Sequence, residues 1–470
     1  MGRKKKITIT NLAITAYAAE GKCIGKHDEK VVFVEGLVPG DVADVLLTKN
    51  KQNWAEGHVL KIQQFSEDRI TPFCAHFGTC GGCKWQMLPY QKQLAYKENQ
   101  VKDQLQRIGK IQDAEFLPIQ GAESDRWYRN KLEFTFSTKR YLSRDELDAG
   151  LSFDQPVLGF HAPRLFDKVI DIETCYLQPD PSNAIKNFVR SYALQQGLSF
   201  YDIRKHEGLL RNLMIRVASN GQVLVNVVFG ENNPEAIFPL LDAMKEAYPI
   251  TSLHYTINTK LNDSLYDQEI ILHAGVPCIE EHLEDFIFEI SPKSFFQTNT
   301  RQAETLYRIT RDFAKPQPHH VIYDLYCGTG SIGIFMSRLA RKIVGVDSIS
   351  DAIADARLNA TRNQVSDATF YAGDVIKVVN DDFFKTHGRP DIVIIDPPRA
   401  GCHEDLINKL LFIEAPVIVY VSCNPATQAR DLLLLSQKYQ VEKSQAVDLF
   451  PHTHHVENVA RLVLRPASTN

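Results

Sequence analysis

VIYDLYCGTGSIG, residues 321–333, decides how this chain folds. An apolar run ends in Asp324. A glycine-rich turn (Gly328, Gly330, Gly333) follows and opens onto a helix-like segment, IGIFMSRLARK. Doubly wound sheets seat nucleotide-type ligands in this way: glycines let the backbone approach the ligand, and a small residue lets the helix pack close to its strand. RKIVGVD then reads as a second strand ending in an acid, Asp347, near the spacing where such folds place a ribose-binding carboxylate.

Downstream the alternation continues. The helix SDAIADARLNATRN leads to the strand ATFYAGD, ending in Asp374. The strands DIVIIDPPRAG and PVIVYVSCNP follow, and the hairpin-like EKSQAVDLFPHTHHVENVARLVL closes the chain. Upstream, FIFEISPKSFFQTNTRQAETLYRITRDFA reads as a strand, a loop and a helix that lead into the turn. Alternating strands and helices imply a mostly parallel sheet whose ligands gather beyond the carboxyl ends of its strands. Asp324, Asp347, Asp374, Asp396 and Cys423 each fall at or just past such an end. They are expected to converge on one crevice.

Further towards the N-terminus the pattern changes twice. ITITNLAI, KCIGKH, KVVFVEG, DVADVLLTK and AEGHVLKI read as five short strands. With their basic loops they fit a small OB-like barrel, a fold that grips single-stranded nucleic acid. PYQKQLAYKENQVKDQLQRIGK reads as an amphipathic helix with Leu94, Val101, Leu105 and Ile108 on one face and a solvated polar face. RWYRNKLEFTFSTK reads as a strand with Arg129 and Lys131 among aromatics, a candidate RNA-facing edge. PVLGFHAP, KVIDI, LLRNLMIRVA, QVLVNVVFG and SLHYTINTK complete a β-rich middle with a helix near 182–196. The expected domains are therefore 1–66, 67–284 and 285–470.

At 470 residues the chain has room for about two to four domains, each with an ample core. No window approaches a membrane span, and no apolar signal core follows the basic MGRKKK start, which points to a cytoplasmic protein. A net charge of −4 argues against a uniformly basic nucleic-acid binder but not against a basic face.

Three of the nine cysteines crowd the stretch TPFCAHFGTCGGCKWQ, in a C-x5-C-x2-C pattern. Cys74, Cys80 and Cys83 need a fourth thiolate to complete a tetrahedral zinc or iron–sulfur site. Zinc favours paired C-x2-C knuckles, so the uneven run leans towards an iron–sulfur cluster. Cys175, the only cysteine between this run and Cys278, is the candidate fourth ligand, and His76 a weaker one.

Asp396-Pro397-Pro398-Arg399 resembles the D/N-P-P-Φ signature of nucleic-acid methyltransferases, in which the stiff Pro-Pro turn fixes the acid beside the methyl donor. Amino methyltransferases carry an aromatic residue at the fourth position. Arg399 stands there instead and disfavours methylation of an exocyclic nitrogen. Carbon 5 of uracil becomes nucleophilic only after a thiolate adds to carbon 6, and its proton must then leave. That chemistry needs a cysteine and a nearby base. Cys423, in SCNP, and Glu457, in HTHHVE, supply both. A free thiol has a pKa of about 8.5 and needs help to ionise, from Asn424, backbone N–H groups or a cation. His452, His454 and His455 read as loop residues at the mouth of the site, touching phosphate.

Together, SFFQTN, DLYCGTGSIG, IIDPPRAG, VSCNP, FPHTHHVE, the cysteine run and the N-terminal barrel resemble the S-adenosylmethionine-dependent RNA uracil-5-methyltransferase family over nearly the whole chain. The resemblance implies an α/β protein: a Rossmann-like methyltransferase domain, an N-terminal TRAM barrel, and a central domain carrying the cluster. It implies Cys423 as the nucleophile and Glu457 as the base. Gln297, Tyr326, Asp347, Asp374 and Asp396 would contact S-adenosylmethionine, with Ser331 beside the donor. Cys74, Cys80, Cys83 and Cys175 match the cysteines that hold a four-iron, four-sulfur cluster in members acting on ribosomal RNA. Members acting on transfer RNA generally lack both the cluster and the TRAM domain. The resemblance thus implies a 23S ribosomal RNA enzyme, with transfer RNA methylation and a non-catalytic RNA-binding factor as the alternatives; no obligate protein partner is evident in the sequence, so a monomer is expected. Two departures stand out: Asp347 where Glu is frequent, and Ser331 where Asn is frequent. The choice of uridine is expected to reside in the central and TRAM domains.

Overall fold

The computed structural model describes residues 7–466; the MGRKKK start lies outside them. The first five strands, Thr8–Tyr17, Cys23–His27, Lys30–Val34, Val42–Asn50 and Trp54–Gln64, close into a barrel. Alternate residues (Ile9, Val32, Val34, Ala43, Val45, Ala55) point inward and fill it. Gly57 faces Val45 so closely that a Cβ there would lie 2.3 Å from its methyl group, so the barrel tolerates only glycine at that point.

The middle of the chain builds a seven-stranded sheet. Its order is Ile270–Gly275, Ser252–Ile257, Val223–Phe229, Leu210–Val217, Lys131–Lys139, Asp154–His161, Val169–Asp171. Helices Ser182–Gln195 and Pro234–Ala247 bury Ile185, Val189, Leu240 and Met244 against one face. VLVNVVF is buried at every position, Asn226 included, which explains why its sequence shows no apolar–polar alternation. The strand expected from Arg126 begins only at Lys131. Trp127 takes a left-handed backbone (φ 56°), so Arg129 lies in the irregular approach to the strand and not within it.

The C-terminal sheet has eight strands, ordered Ala368–Ala372, Lys342–Asp347, Val321–Leu325, Ile392–Ile395, Val417–Ser422, Glu457–Leu464, Tyr439–Val447, Glu115–Gln120. The first five are parallel; Glu457–Leu464 runs against them. The eighth strand comes from the stretch assigned by sequence to the central region. EFLPIQ escapes a reading by alternation because Pro118 interrupts it, and proline is tolerated there because the strand is an edge. The helix before it, Tyr90–Arg107, buries Val101 and Leu105 in the core of this same sheet. Its polar face is not wholly solvated: Gln93 and Lys97 are fully buried. No helix among the described residues is long and apolar enough to cross a membrane.

Candidate active site

The strand order sets the site. From Val321–Leu325 the chain winds outward through Lys342–Asp347 and Ala368–Ala372, then returns past its start to Ile392–Ile395. The reversal opens a crevice at the carboxyl ends of Val321–Leu325 and Ile392–Ile395, where such sheets bind ligands. Tyr326 enters it with φ 63°, a conformation that costs a bulky residue about 1–3 kcal/mol and persists where the surroundings enforce it. Here Tyr326 and Cys327 both donate backbone N–H bonds to the Val346 carbonyl, at 2.9 and 3.2 Å. A Cβ on Gly333 would lie 2.8 Å from Ile343 and 3.0 Å from Asp324 Oδ2, so the third glycine lets the helix meet its strand.

The acids divide by role. Asp324 is fully buried; Oδ2 accepts from Gly333 N–H at 2.9 Å, Oδ1 has no partner, and burial pushes its pKa up to about 7. Asp347 braces the glycine loop by accepting from Gly328 N–H and Ile349 N–H, both at 2.9 Å. Asp374 stands exposed at the rim and caps the short helix Val375–Val378 through Ile376 N–H. Asp396 follows Ile395 directly, with its carboxyl raised to about 7 by desolvation. Ser331 Oγ lies 2.9 Å from the Tyr307 hydroxyl, a partner on the preceding long helix that no motif signals. The Gln297 carbonyl accepts from Asn130 Nδ2 at 2.9 Å, which joins this loop to the central domain.

Two strands bring the thiol and the carboxylate together. Val417–Ser422 and Glu457–Leu464 pair antiparallel with Ser422 opposite Asn458. Cys423 and Glu457 are thus the next residues facing each other beyond that pair, beside the end of the Asp396 strand. Cys423 is half-buried and Glu457 buried. Desolvation, then the charge of Asp396, raises Glu457 to about 8, with Arg399 opposing. Burial, then Glu457 and Asp396, raises the Cys423 thiol to about 11, again opposed by Arg399. Arg399 is the cation that favours the thiolate. Asn424 is committed elsewhere: Oδ1 caps the helix Pro425–Leu435 and Nδ2 donates to the Arg399 carbonyl at 3.0 Å.

The histidines differ from their expected place at the mouth. His452 is buried (3% exposed) and hydrogen-bonded on several sides, so it is closed to phosphate. His454 and His455 lie half-buried with rings 4.2 Å apart, and burial followed by its neighbour holds His455 down at about 4. Uncharged rings of this kind are poor phosphate contacts.

Cys74, Cys80, Cys83 and Cys175 line one cavity of about 450 Å³, walled also by Phe160 and Ile172. Desolvation, then the charge of the neighbouring cysteines, pushes Cys83 up to about 12. His76 Nε2 accepts the Glu173 N–H at 3.3 Å and is thereby tied into the loop. Among the described residues no group of three or more Cys, His, Asp or Glu side chains converges to hold a single metal ion. The four cysteines expected to bind an iron–sulfur cluster share one cavity wall, and four thiols are a donor set that either a cluster or a zinc ion can use.

The family model for tRNA (Uracil-5-)-methyltransferase matches residues 277–464, and the TRAM domain model matches residues 1–60. A relative from Bacteroides thetaiotaomicron, named an uncharacterized RNA methyltransferase, is 49% identical over 95% of this chain and 100% of its own. One from Chlorobaculum tepidum, named likewise, is 38% identical over 97% of each chain. Among solved structures, the Pyrococcus abyssi tRNA (uracil-54, C5)-methyltransferase in complex with S-adenosyl-L-homocysteine covers 97% of this chain and 100% of its own. It has a TM-score of 0.74 and 29% identity. The chain therefore belongs to the S-adenosylmethionine-dependent RNA uracil-5-methyltransferase family, in the form that carries a TRAM domain, and is an RNA (uracil-5-)-methyltransferase.

Proposed function

We propose that the enzyme methylates carbon 5 of a uridine in 23S ribosomal RNA through a covalent Cys423 adduct. The observation that carries the covalent mechanism is the placement of Cys423 opposite Glu457 at the strand end next to Asp396, while the TRAM domain and the four cysteines around one cavity favour ribosomal RNA. Bound S-adenosylmethionine supplies an electrophilic methyl group. Gln297, Tyr326, Ser331, Asp347, Asp374 and Asp396 would hold it in the crevice, with the target base flipped in from the RNA. The Cys423 thiolate adds to carbon 6 and drives an electron pair to carbon 5, which takes the methyl group. Glu457 then accepts the carbon 5 proton, the carbon 5–carbon 6 double bond re-forms, and Cys423 departs as thiolate.

Cys74, Cys80, Cys83 and Cys175 would hold a four-iron, four-sulfur cluster with a structural role. The domain limits 1–66, 67–284 and 285–470 belong to the same proposal, with 90–120 serving the last of them. So do a cytoplasmic location and a monomeric state. The second substrate reading, transfer RNA, gains support from the Pyrococcus abyssi enzyme, whose match spans almost the whole of this chain. Tritiated methyl transfer to ribosomal and transfer RNA from a deletion strain separates the two. Cys423→Ala is expected to abolish transfer to either; a variant that transfers at the wild-type rate would refute the mechanism.

A further inference from the structure

Glu457 opens its strand, but residues 448–456 before it form no helix or strand. The backbone polar groups of such a segment need partners from outside it. Many come from the helix Tyr90–Arg107. The Tyr90 hydroxyl donates to Asp448 Oδ2 at 2.9 Å. Lys97 Nζ donates to Asp448 Oδ1 at 2.7 Å and to the Phe450 carbonyl at 3.1 Å. Between them Gln93 Oε1 accepts the His452 N–H at 2.9 Å, and Gln93 Nε2 lies 3.1 Å from His452 Nδ1. Tyr90, Gln93 and Lys97 share one helix face, spaced three and four apart.

The cysteine segment meets the same point. Lys84 and Trp85, which follow Cys83, donate their backbone N–H groups to the His452 carbonyl at 2.7 and 3.0 Å. Gln93 Nε2 also reaches the carbonyls of Trp85 and Leu88, at 3.0 and 2.9 Å. Phe73, which precedes Cys74, packs its ring 5.1 Å from the His452 ring. Both ends of the cysteine run are thereby fastened to the residue that lies five positions before Glu457.

We propose that His452 and Gln93 are positioning residues: they fix the segment that carries Glu457 and tie the placement of that base to the folded cysteine loop. The inference rests on the proposed roles of Cys423 and Glu457. It assigns the pair to one step. Attack by Cys423 and methyl transfer make no use of Glu457. Only the last step does, in which the carbon 5 proton passes to the carboxylate and the carbon 6–sulfur bond breaks. Loosening the joint therefore leaves the adduct forming and slows its resolution.

The test uses the full-length protein, S-adenosylmethionine and ribosomal RNA from a deletion strain. His452→Leu and Gln93→Leu should each lower kcat by roughly 10- to 100-fold, the effect of a small misplacement of a reacting group. A methylated protein–RNA adduct should accumulate on denaturing gels in step with that loss. Trapping on 5-fluorouridine RNA, which carries no carbon 5 proton, should keep its wild-type rate. His452→Asn retains an acceptor near Nδ1 and should restore turnover. The double Leu variant should be no worse than either single one. Hydrogen exchange over 449–456 should quicken in both Leu variants and also in Cys83→Ser. Wild-type turnover in both Leu variants would overturn the inference. So would loss of fluorouridine trapping along with turnover, since that marks a purely structural role. If the wild-type protein itself forms no adduct, the proposed mechanism fails first.

Discussion

The crevice at the strand ends and the joint around His452 are built in opposite ways. In the crevice, Asp324, Asp347, Asp396 and Cys423 each come from a short motif at the end of its own strand, and the buried Asp324 keeps one carboxyl oxygen without a partner. Around His452, partners 351 to 359 residues apart in sequence meet in hydrogen bonds and a buried ion pair. The crevice is assembled from local strand ends; the joint is assembled from segments far apart in the chain. Burial raises the carboxyls of Glu457 and Asp396 in the crevice, whereas in the joint the Asp448 carboxylate is held by the Lys97 ammonium and the Tyr90 hydroxyl.

The largest effect expected is on the crevice side. Glu457→Gln should reduce turnover to background while a covalent RNA adduct builds up, measured by denaturing gel; free turnover without adduct would remove the base from its role. On the supporting side, Lys97→Met strands the Asp448 carboxylate, fully buried, and should cost about 3–5 kcal/mol of stability by chemical denaturation. A loss no larger than that of an exposed lysine would show that the joint bears little strain.

Smaller effects separate the regions by pH. Glu457 and Asp396 are raised to about 8 and about 7, above their unfolded values near 4. The folded state then binds more protons than the unfolded state between roughly pH 4 and 8, so their contribution weakens the fold as pH rises through that window. Glu457→Gln should flatten the fall of Tm across it, while His452→Asn should steepen it, because burial holds the His452 pKa below its ordinary value and so opposes the fall. The smallest shift concerns the donor. A sulfonium beside these acids favours their ionised forms, so S-adenosylmethionine should release more protons on binding near neutral pH than S-adenosylhomocysteine, whose sulfur is neutral. Calorimetry in two buffers reads the difference; equal release would place the sulfur away from Asp396 and Glu457.

The same contrast governs what was legible in the sequence. Asp324, Asp347 and Asp396 could be placed because a strand end is a local pattern, and a parallel sheet collects its ends on one side. The five barrel strands were equally plain from their alternation. The strand Glu115–Gln120 was missed because its pairing with Tyr439–Val447 is an encounter between distant segments that alternation does not encode. Gln93 and Lys97 read as solvated polar residues because nothing local marks a buried polar group; only their partners at 448–452 do. His452 misled for the converse reason, since its neighbours His454 and His455 made it look like one of an exposed set. Tyr307, which reaches Ser331, and Arg399, which faces the thiol, likewise take their roles from the fold.

The central claim is a temporary bond between one sulfur and a pyrimidine ring. Incubating the protein with S-adenosylmethionine and RNA containing 5-fluorouridine, then digesting and sequencing the cross-linked peptide by mass spectrometry, tests it most directly. The expected product is a methylated 5-fluorouridine joined through carbon 6 to Cys423. An adduct on any other residue, or methylation with no adduct at all, would contradict the account.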